Sequence, residues 1–446
     1  MRNPPKECMI HSPRRAIVKE SFTLPLIAET HMSDITRRNW LALSAATLAG
    51  AAACRSPASA SPATAPLPAA VPDRASFDVE GVYLNAGSQH PISRPARASL
   101  EAYLNNRVHH PPGSDYELGS TAAIEKFARL VNADPDEITF VQSTTTGEQI
   151  IVRSLMLPAP GARIVTDTLH FFGSIPLYME LEKAGCDVAW VAHRDGRILL
   201  EDMDRAITPG TRLVALSLVS TVNGFQHDLK AICDLAHSRG ALVYADIIHA
   251  AGCVPVDLHA SGVDFAACAS YKWLMGDFGL GFLYVRRGAR EALTRTQYGY
   301  YGVSSFTSHL YPFDPPGDDV ASYSFADSTN GLFALGTYSH TTVALLNASL
   351  DYISSLGVEA IQRHAISLTT HLKEGLLSLG YTLMTPEEST TPIVACAYEN
   401  ARARIGPKLK EAGITTTVSA NRFRPTVSVF NTGDDIDRFL AAIGPA

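Results

Sequence analysis

The chain has 446 residues, 46% hydrophobic and 18% charged, enough apolar side chain to bury a large core in a two-domain globular unit. A formal net charge of -7 and a pI near 6.1 leave no basic excess, which argues against nucleic acid and toward small molecules as partners. Beyond Cys8 and Cys54, the five remaining cysteines show no paired metal-ligand spacing, so no metal is expected.

The N-terminus reads as an address. Thr36-Arg37-Arg38-Asn39-Trp40-Leu41 carries a twin arginine, and the stretch from Trp40 to Ala53 is apolar, uncharged and too short to span a bilayer comfortably. Small residues Ala51-Ala52-Ala53 then offer a cleavage region before Cys54. Residues 1–54 are therefore expected to be a twin-arginine export signal, with Met32 as an alternative start, and the protein is expected in the periplasm. Cys54 is a candidate lipid anchor, although Ala51 is small for a lipobox. The Pro/Ala/Ser composition of residues 55–76 predicts a linker.

Residues 77–335 are expected to form an N-terminal segment and the larger domain. From about Ser120, helical and strand-like segments alternate, which predicts an α/β fold with a mainly parallel sheet. Ser143-Thr144-Thr145-Thr146-Gly147 looks like a helix start whose hydroxyls and backbone amides suit a phosphate. Leu229, Ile232, Cys233 and Ala236 lie at helical spacing, Gly240 ends that helix, and Ala241 to Ala245 read as a buried strand. That strand stops abruptly in Asp246, a carboxylate that needs a cationic partner.

Lys272 follows in Ser270-Tyr271-Lys272-Trp273-Leu274, between the apolar runs Phe265–Cys268 and Gly279–Val285. Alone it could be an ordinary solvated lysine. At a strand end, packing can desolvate the amine and keep part of it neutral and nucleophilic, as an aldehyde cofactor requires. A protonated pyridine nitrogen would be the cation for Asp246, so the pair points to pyridoxal phosphate (PLP). Residues 296–331 lack periodicity and are expected to be long loops over the site. After Gly336 the helical pattern of Val343, Leu346, Ser349 and Tyr352 is expected to open a smaller domain, residues 336–446, that ends with a strand at Val427–Phe430 and a helix from Asp434.

At these residues the chain resembles the class V aminotransferase family of fold-type I PLP enzymes, which includes cysteine desulfurases and isopenicillin N epimerase-like proteins. The resemblance runs from about Tyr83 to the C-terminus, through Tyr83-Leu84-Asn85-Ala86, Ser143 to Gly147, Asp246-Ile247-Ile248-His249, Ser270 to Leu274, Phe333 to Thr337, and Arg424 before Phe430-Asn431-Thr432. It implies a mainly parallel seven-stranded sheet, a smaller C-terminal α+β domain, a homodimer and PLP held on Lys272. It further implies that Thr144 and Thr145 bind the cofactor phosphate, that Thr337 reaches the phosphate of the neighbouring subunit, and that Tyr271 flanks the cofactor. His170 takes the position that stacks on the pyridine ring. His249 takes the position that meets the phenolic oxygen, where Thr221 replaces an asparagine of the desulfurases. Arg424 takes the α-carboxylate position, with Arg422 as a nearby rival.

Cysteine desulfurases carry a mobile-loop cysteine before that arginine, and Ile414 to Asn421 contains none. The resemblance is therefore drawn to the isopenicillin N epimerase-like branch, with an amino acid or peptide substrate and a role in tailoring secreted peptides. A C–S lyase or cysteine desulfurase-like enzyme, and a non-catalytic binding protein with the same fold, stand as alternatives.

Overall fold

The computed structural model of the protein describes residues 70–109 and 117–446. The expected export signal, Cys54 and most of the linker lie outside them. Among the described residues the strands are β1 (Val82–Leu84), β2 (Ile138–Val141), β3 (Arg163–Asp167), β4 (Asp187–Val191), β5 (Thr211–Ser217), β6 (Leu242–Asp246), β7 (Phe265–Ala269), β8 (Gly281–Val285), β9 (Val303–Ser308), β10 (Ala321–Phe325), β11 (Thr382–Leu383), β12 (Cys396–Ala397), β13 (Ile414–Val418) and β14 (Arg422–Arg424).

The main sheet has seven strands in the order β2-β8-β7-β6-β5-β3-β4, all parallel except β8, which runs against both its neighbours. Its strands are apolar without alternation because both faces are covered. Period two sorts them: Val214 and Leu216 join one core cluster while Leu213 and Ala215 join another, and Phe282 and Tyr284 part from Leu283 and Val285 in the same way. The helix Ser120–Leu130 seals one face, its Phe127 stacked on Phe282 with ring centroids 4.0 Å apart. The helix Leu229–Ser238 buries the expected Leu229, Ile232, Cys233 and Ala236, and Asp228 caps its start by accepting the Ala231 N–H at 3.0 Å. Gly240, at φ 75°, turns the chain out of that helix in a conformation costly for any other residue. In register, Asp246 stands opposite Ser217 on one side and Ala267 on the other, so the carboxyl ends of β5, β6 and β7 lie side by side.

The second sheet has the order β1-β13-β14-β12-β11. Leu368, Leu372 and Leu376 of the helix Val358–Ser378 and Ile436, Phe439 and Ile443 of the helix Gly433–Ile443 cover it. A capping box of Thr432 and Asp435 starts the terminal helix.

The strand β1 of the N-terminal segment belongs to the second sheet, because it pairs in parallel with β13. Three expectations differ in detail. The helix His340–Leu356 sends Val343, Leu346, Leu350 and Ile353 into the main core, so its apolar face is spent before the second sheet begins. The last strand is Arg422–Arg424, not 427–430: Pro425 follows it and has no N–H for the ladder. The stretch from 296 to 331 holds the β9–β10 hairpin, whose strands are exposed on both faces and so carry no alternating pattern.

Candidate active site

Asp246 ends β6 almost fully buried. Its Oδ1 accepts the Ile248 N–H at 2.9 Å, Ser217 Oγ stands 3.5 Å from Oδ2, and burial pushes its carboxyl up to about 6. Behind it runs a buried chain of polar groups. His170 Nδ1 is 2.9 Å from Ser217 Oγ and its Nε2 is 3.0 Å from Glu148 Oε1, while Tyr178 donates to the same Oε1 at 2.6 Å and Ser174 donates to Oε2. Burial penalises the charged form of both His170 and Glu148, yet their attraction prevails, raising the imidazole and lowering the carboxyl. Protonated His170 donates from both nitrogens, which leaves the single Ser217 hydroxyl proton free to point at Asp246.

Lys272 is buried near the start of the loop after β7. Trp273 Nε1 is 3.3 Å from His249 Nδ1, and His249 Nε2 is 3.0 Å from Lys272 Nζ. Indole N–H only donates, so His249 Nδ1 accepts and its proton sits on Nε2. That N–H can bond Lys272 only if the amine offers a lone pair. The network therefore favours the neutral amine, and burial together with the Arg424 charge brings it down to about 8 against the pull of Asp246, which enlarges its neutral fraction over that of an ordinary lysine. Burial, with the charges of Lys272 and Arg424, holds His249 well below the usual imidazole range.

Thr144, Thr145, Phe171, Asp246, Tyr271 and Lys272 line one cleft. The helix Thr144–Ser154 points its N-terminus into it: Ser143 Oγ caps Thr146 N at 3.0 Å, and the first backbone N–H groups of a helix have no partner within it. Gly147 lets this helix approach the sheet, because a Cβ there would lie 2.8 Å from the Ala267 Cβ. Thr144 is buried, its Oγ1 accepting the Ala269 N–H at 3.0 Å, whereas Thr145 is exposed. Tyr271 stacks on Phe278 at 4.4 Å. Phe171 lines the cleft beside Tyr271, its ring 5.8 Å from Lys272 Nζ, and His170 is engaged through both ring nitrogens. Arg424, buried, donates to Thr221 O at 2.8 Å, to Thr221 Oγ1 and to Ser88 Oγ at 2.9 Å. Thr221 thus supports the arginine. Thr337 is exposed and lines a separate groove with Thr146 and Gly279.

These residues fit PLP. The carboxylate of Asp246 has no salt-bridge partner among the described residues, a helix N-terminus opens onto the same cleft, and a buried amine lowered from the ordinary lysine range lies within it. Residues 96–433 match the model of aminotransferase class-V. The chain belongs to the class V aminotransferase family.

As a family member it is a PLP-dependent enzyme. It is 29% identical over 308 residues to a probable cysteine desulfurase of Methanothermobacter thermautotrophicus, covering 67% of this chain and 73% of that one. It is 24% identical over 350 residues to the uncharacterized aminotransferase YcbU of Bacillus subtilis, covering 78% and 90%. Its fold is similar to that of the cysteine desulfurase CsdA of Escherichia coli, with a TM-score of 0.72, 21% identity, and 83% and 96% of the chains covered. A C-DES variant with glycine covalently linked to its PLP cofactor gives a TM-score of 0.73 at 20% identity, with 83% and 98% covered.

Glu148, Ser217, Phe171 and Trp273 escaped the sequence reading as site residues. The available signal was Glu148 itself, a lone acid in the run Gly147-Glu148-Gln149-Ile150-Ile151-Val152 that is otherwise nearly uncharged and largely apolar.

Proposed function

We propose that this enzyme acts on the amino group or Cα of an amino acid or peptide, in the isopenicillin N epimerase-like branch of its family. The observation that carries the reading is the convergence of Lys272, bonded to His249 and through it to Trp273, with Asp246 in one cleft. Arg424 binds the substrate α-carboxylate through its guanidinium. Lys272 Nζ attaches the cofactor, and once released it takes the Cα proton. Asp246 holds the ring-nitrogen proton, and Thr144, Thr145 and the helix N-terminus take the phosphate. Bound PLP supplies the electron sink for the pair left at Cα.

A homodimer is part of the proposal. Exposed Thr337 on a groove next to Thr146 supports it, as does the β9–β10 hairpin, since an isolated two-stranded unit is marginal without a covering partner. The twin arginine supports export to the periplasm, and a secreted peptide is the substrate consistent with that address.

The test is borohydride reduction of the yellow holoenzyme followed by peptide mapping, with the pyridoxyl group expected on Lys272. Recovery on another lysine, or on none after loading with PLP, sinks the reading.

The second reading, a C–S lyase or cysteine desulfurase-like enzyme, draws on the names of the similar proteins. A persulfide relay needs an accessible thiolate. All five cysteines among the described residues are buried, and burial pushes the Cys396 thiol up to about 12. Cys396→Ala is expected to leave turnover intact. A protein persulfide formed with cysteine and lost in that variant would favour the second reading.

A further inference from the structure

Arg422 and Arg424 stand two residues apart on β14, so their side chains leave the same face of the strand, about 7 Å apart along it. Arg422 donates to the Val222 carbonyl at 3.0 Å and Arg424 to the Thr221 carbonyl at 2.8 Å, so consecutive residues of one turn hold both guanidiniums. Among the described residues no carboxylate pairs with either. Arginines less buried than Arg424 do better: Arg163, Arg197, Arg286 and Arg287 each hold an acid. Burial, and for Arg424 also the charge of Arg422, lowers both guanidinium groups, Arg424 to about 10. The Nε of Arg424 is buried with no hydrogen-bond partner. Two adjacent cations taken out of water without counter-charge are destabilising, and arriving anions relieve the cost.

We propose that the substrate is an amino dicarboxylic acid of about glutamate length, its α-carboxylate on Arg424 and its second carboxylate on Arg422. The inference rests on the proposed role of Arg424 and, between the amino acid and the peptide proposed as substrates, takes the amino acid and adds its class. Arg424 is the inner member, since its charge acts on Lys272 and His249. Arg422, half-buried nearer the β13–β14 turn, meets the group farther from the reacting carbon.

The experiment is a spectral titration of the holoenzyme with L-glutamate and L-alanine, beside a thermal-shift comparison of glutarate with butyrate on the cofactor-free protein. Glutamate is expected to half-saturate at a concentration at least about tenfold below alanine, as one added charge-assisted contact gives. Glutarate is expected to stabilise at lower concentration than butyrate. In Arg422→Gln the glutamate-to-alanine ratio collapses toward one, and in Arg422→Lys, which keeps the charge without the fork, part of it returns. Equal half-saturation in the wild type, or an unchanged ratio in Arg422→Gln, overturns the inference. If PLP fails to attach to Lys272, the proposed function falls, whereas the glutarate comparison still reads the arginine pair.

Discussion

At the scale of single residues, charge in the site is controlled from positions that touch no substrate. Glu148 is such a positioning residue, because its carboxylate keeps the His170 imidazole protonated and thereby leaves the Ser217 proton for Asp246. Glu148→Gln preserves shape and removes the charge, so the His170 pKa is expected to fall; the check is the pH titration of its ring resonances in cofactor-free protein, and an unmoved titration refutes the relay. The charged groups facing His170 are Glu148, Asp167 and Asp246, so the two remaining acids limit the fall. Asp246 gives a second expectation. Its folded pKa of about 6 lies above the ordinary 3.8, so the folded cofactor-free protein binds the proton more tightly than the unfolded chain does. The stability this contributes is full below about pH 4 and is lost as pH rises through about 6. Asp246→Asn should therefore stabilise the cofactor-free protein at pH 8, by on the order of 3 kcal/mol, with the gain vanishing near pH 4. Denaturant melts at the two pH values decide it, and a pH-independent difference would rule out a buried unpaired carboxylate.

At the scale of elements, close packing sets the helix over the sheet. Gly147→Ala improves helix propensity by roughly 1 kcal/mol, but the new methyl would sit 2.8 Å from the Ala267 Cβ. Overpacking of that kind typically costs about 1–3 kcal/mol, so net destabilisation is expected together with weaker PLP binding, because the helix N-terminus moves with the helix. Urea unfolding and cofactor titration would show it, and unchanged affinity would separate the helix from the phosphate. What the sequence made legible follows the same physics. Strands covered on both faces read as apolar runs, so β6, β7 and β8 were evident, and Asp246 and Lys272 stood out as polar breaks at their ends. The β9–β10 hairpin, exposed on both faces, has no such pattern. Neither Glu148 nor Trp273 could be joined to the site beforehand, since their partners lie on other elements, 22 positions away for His170 and 24 for His249. Helical spacing in the helix His340–Leu356 does not by itself say which core receives its apolar face.

At the scale of the whole molecule, the site and the proposed address constrain each other. Lys272, Asp246 and the helix N-terminus come from separate segments that meet only in the folded main sheet, so a cofactor bound there holds only a folded chain. Export of a loaded enzyme therefore calls for a route that carries folded protein, which is the route a twin-arginine signal addresses. A reporter fused behind residues 32–75 is expected in the periplasm, and replacing both Arg37 and Arg38 with lysine is expected to hold it in the cytoplasm, because the paired guanidiniums carry the recognition. The full-length enzyme should reach the periplasm with PLP already on Lys272, and Lys272→Ala should be exported with much less cofactor. Fractionation with borohydride labelling reads both outcomes. Full export of the double-lysine variant would refute the address, and label that appears only when PLP is added outside the cytoplasm would refute loading before export.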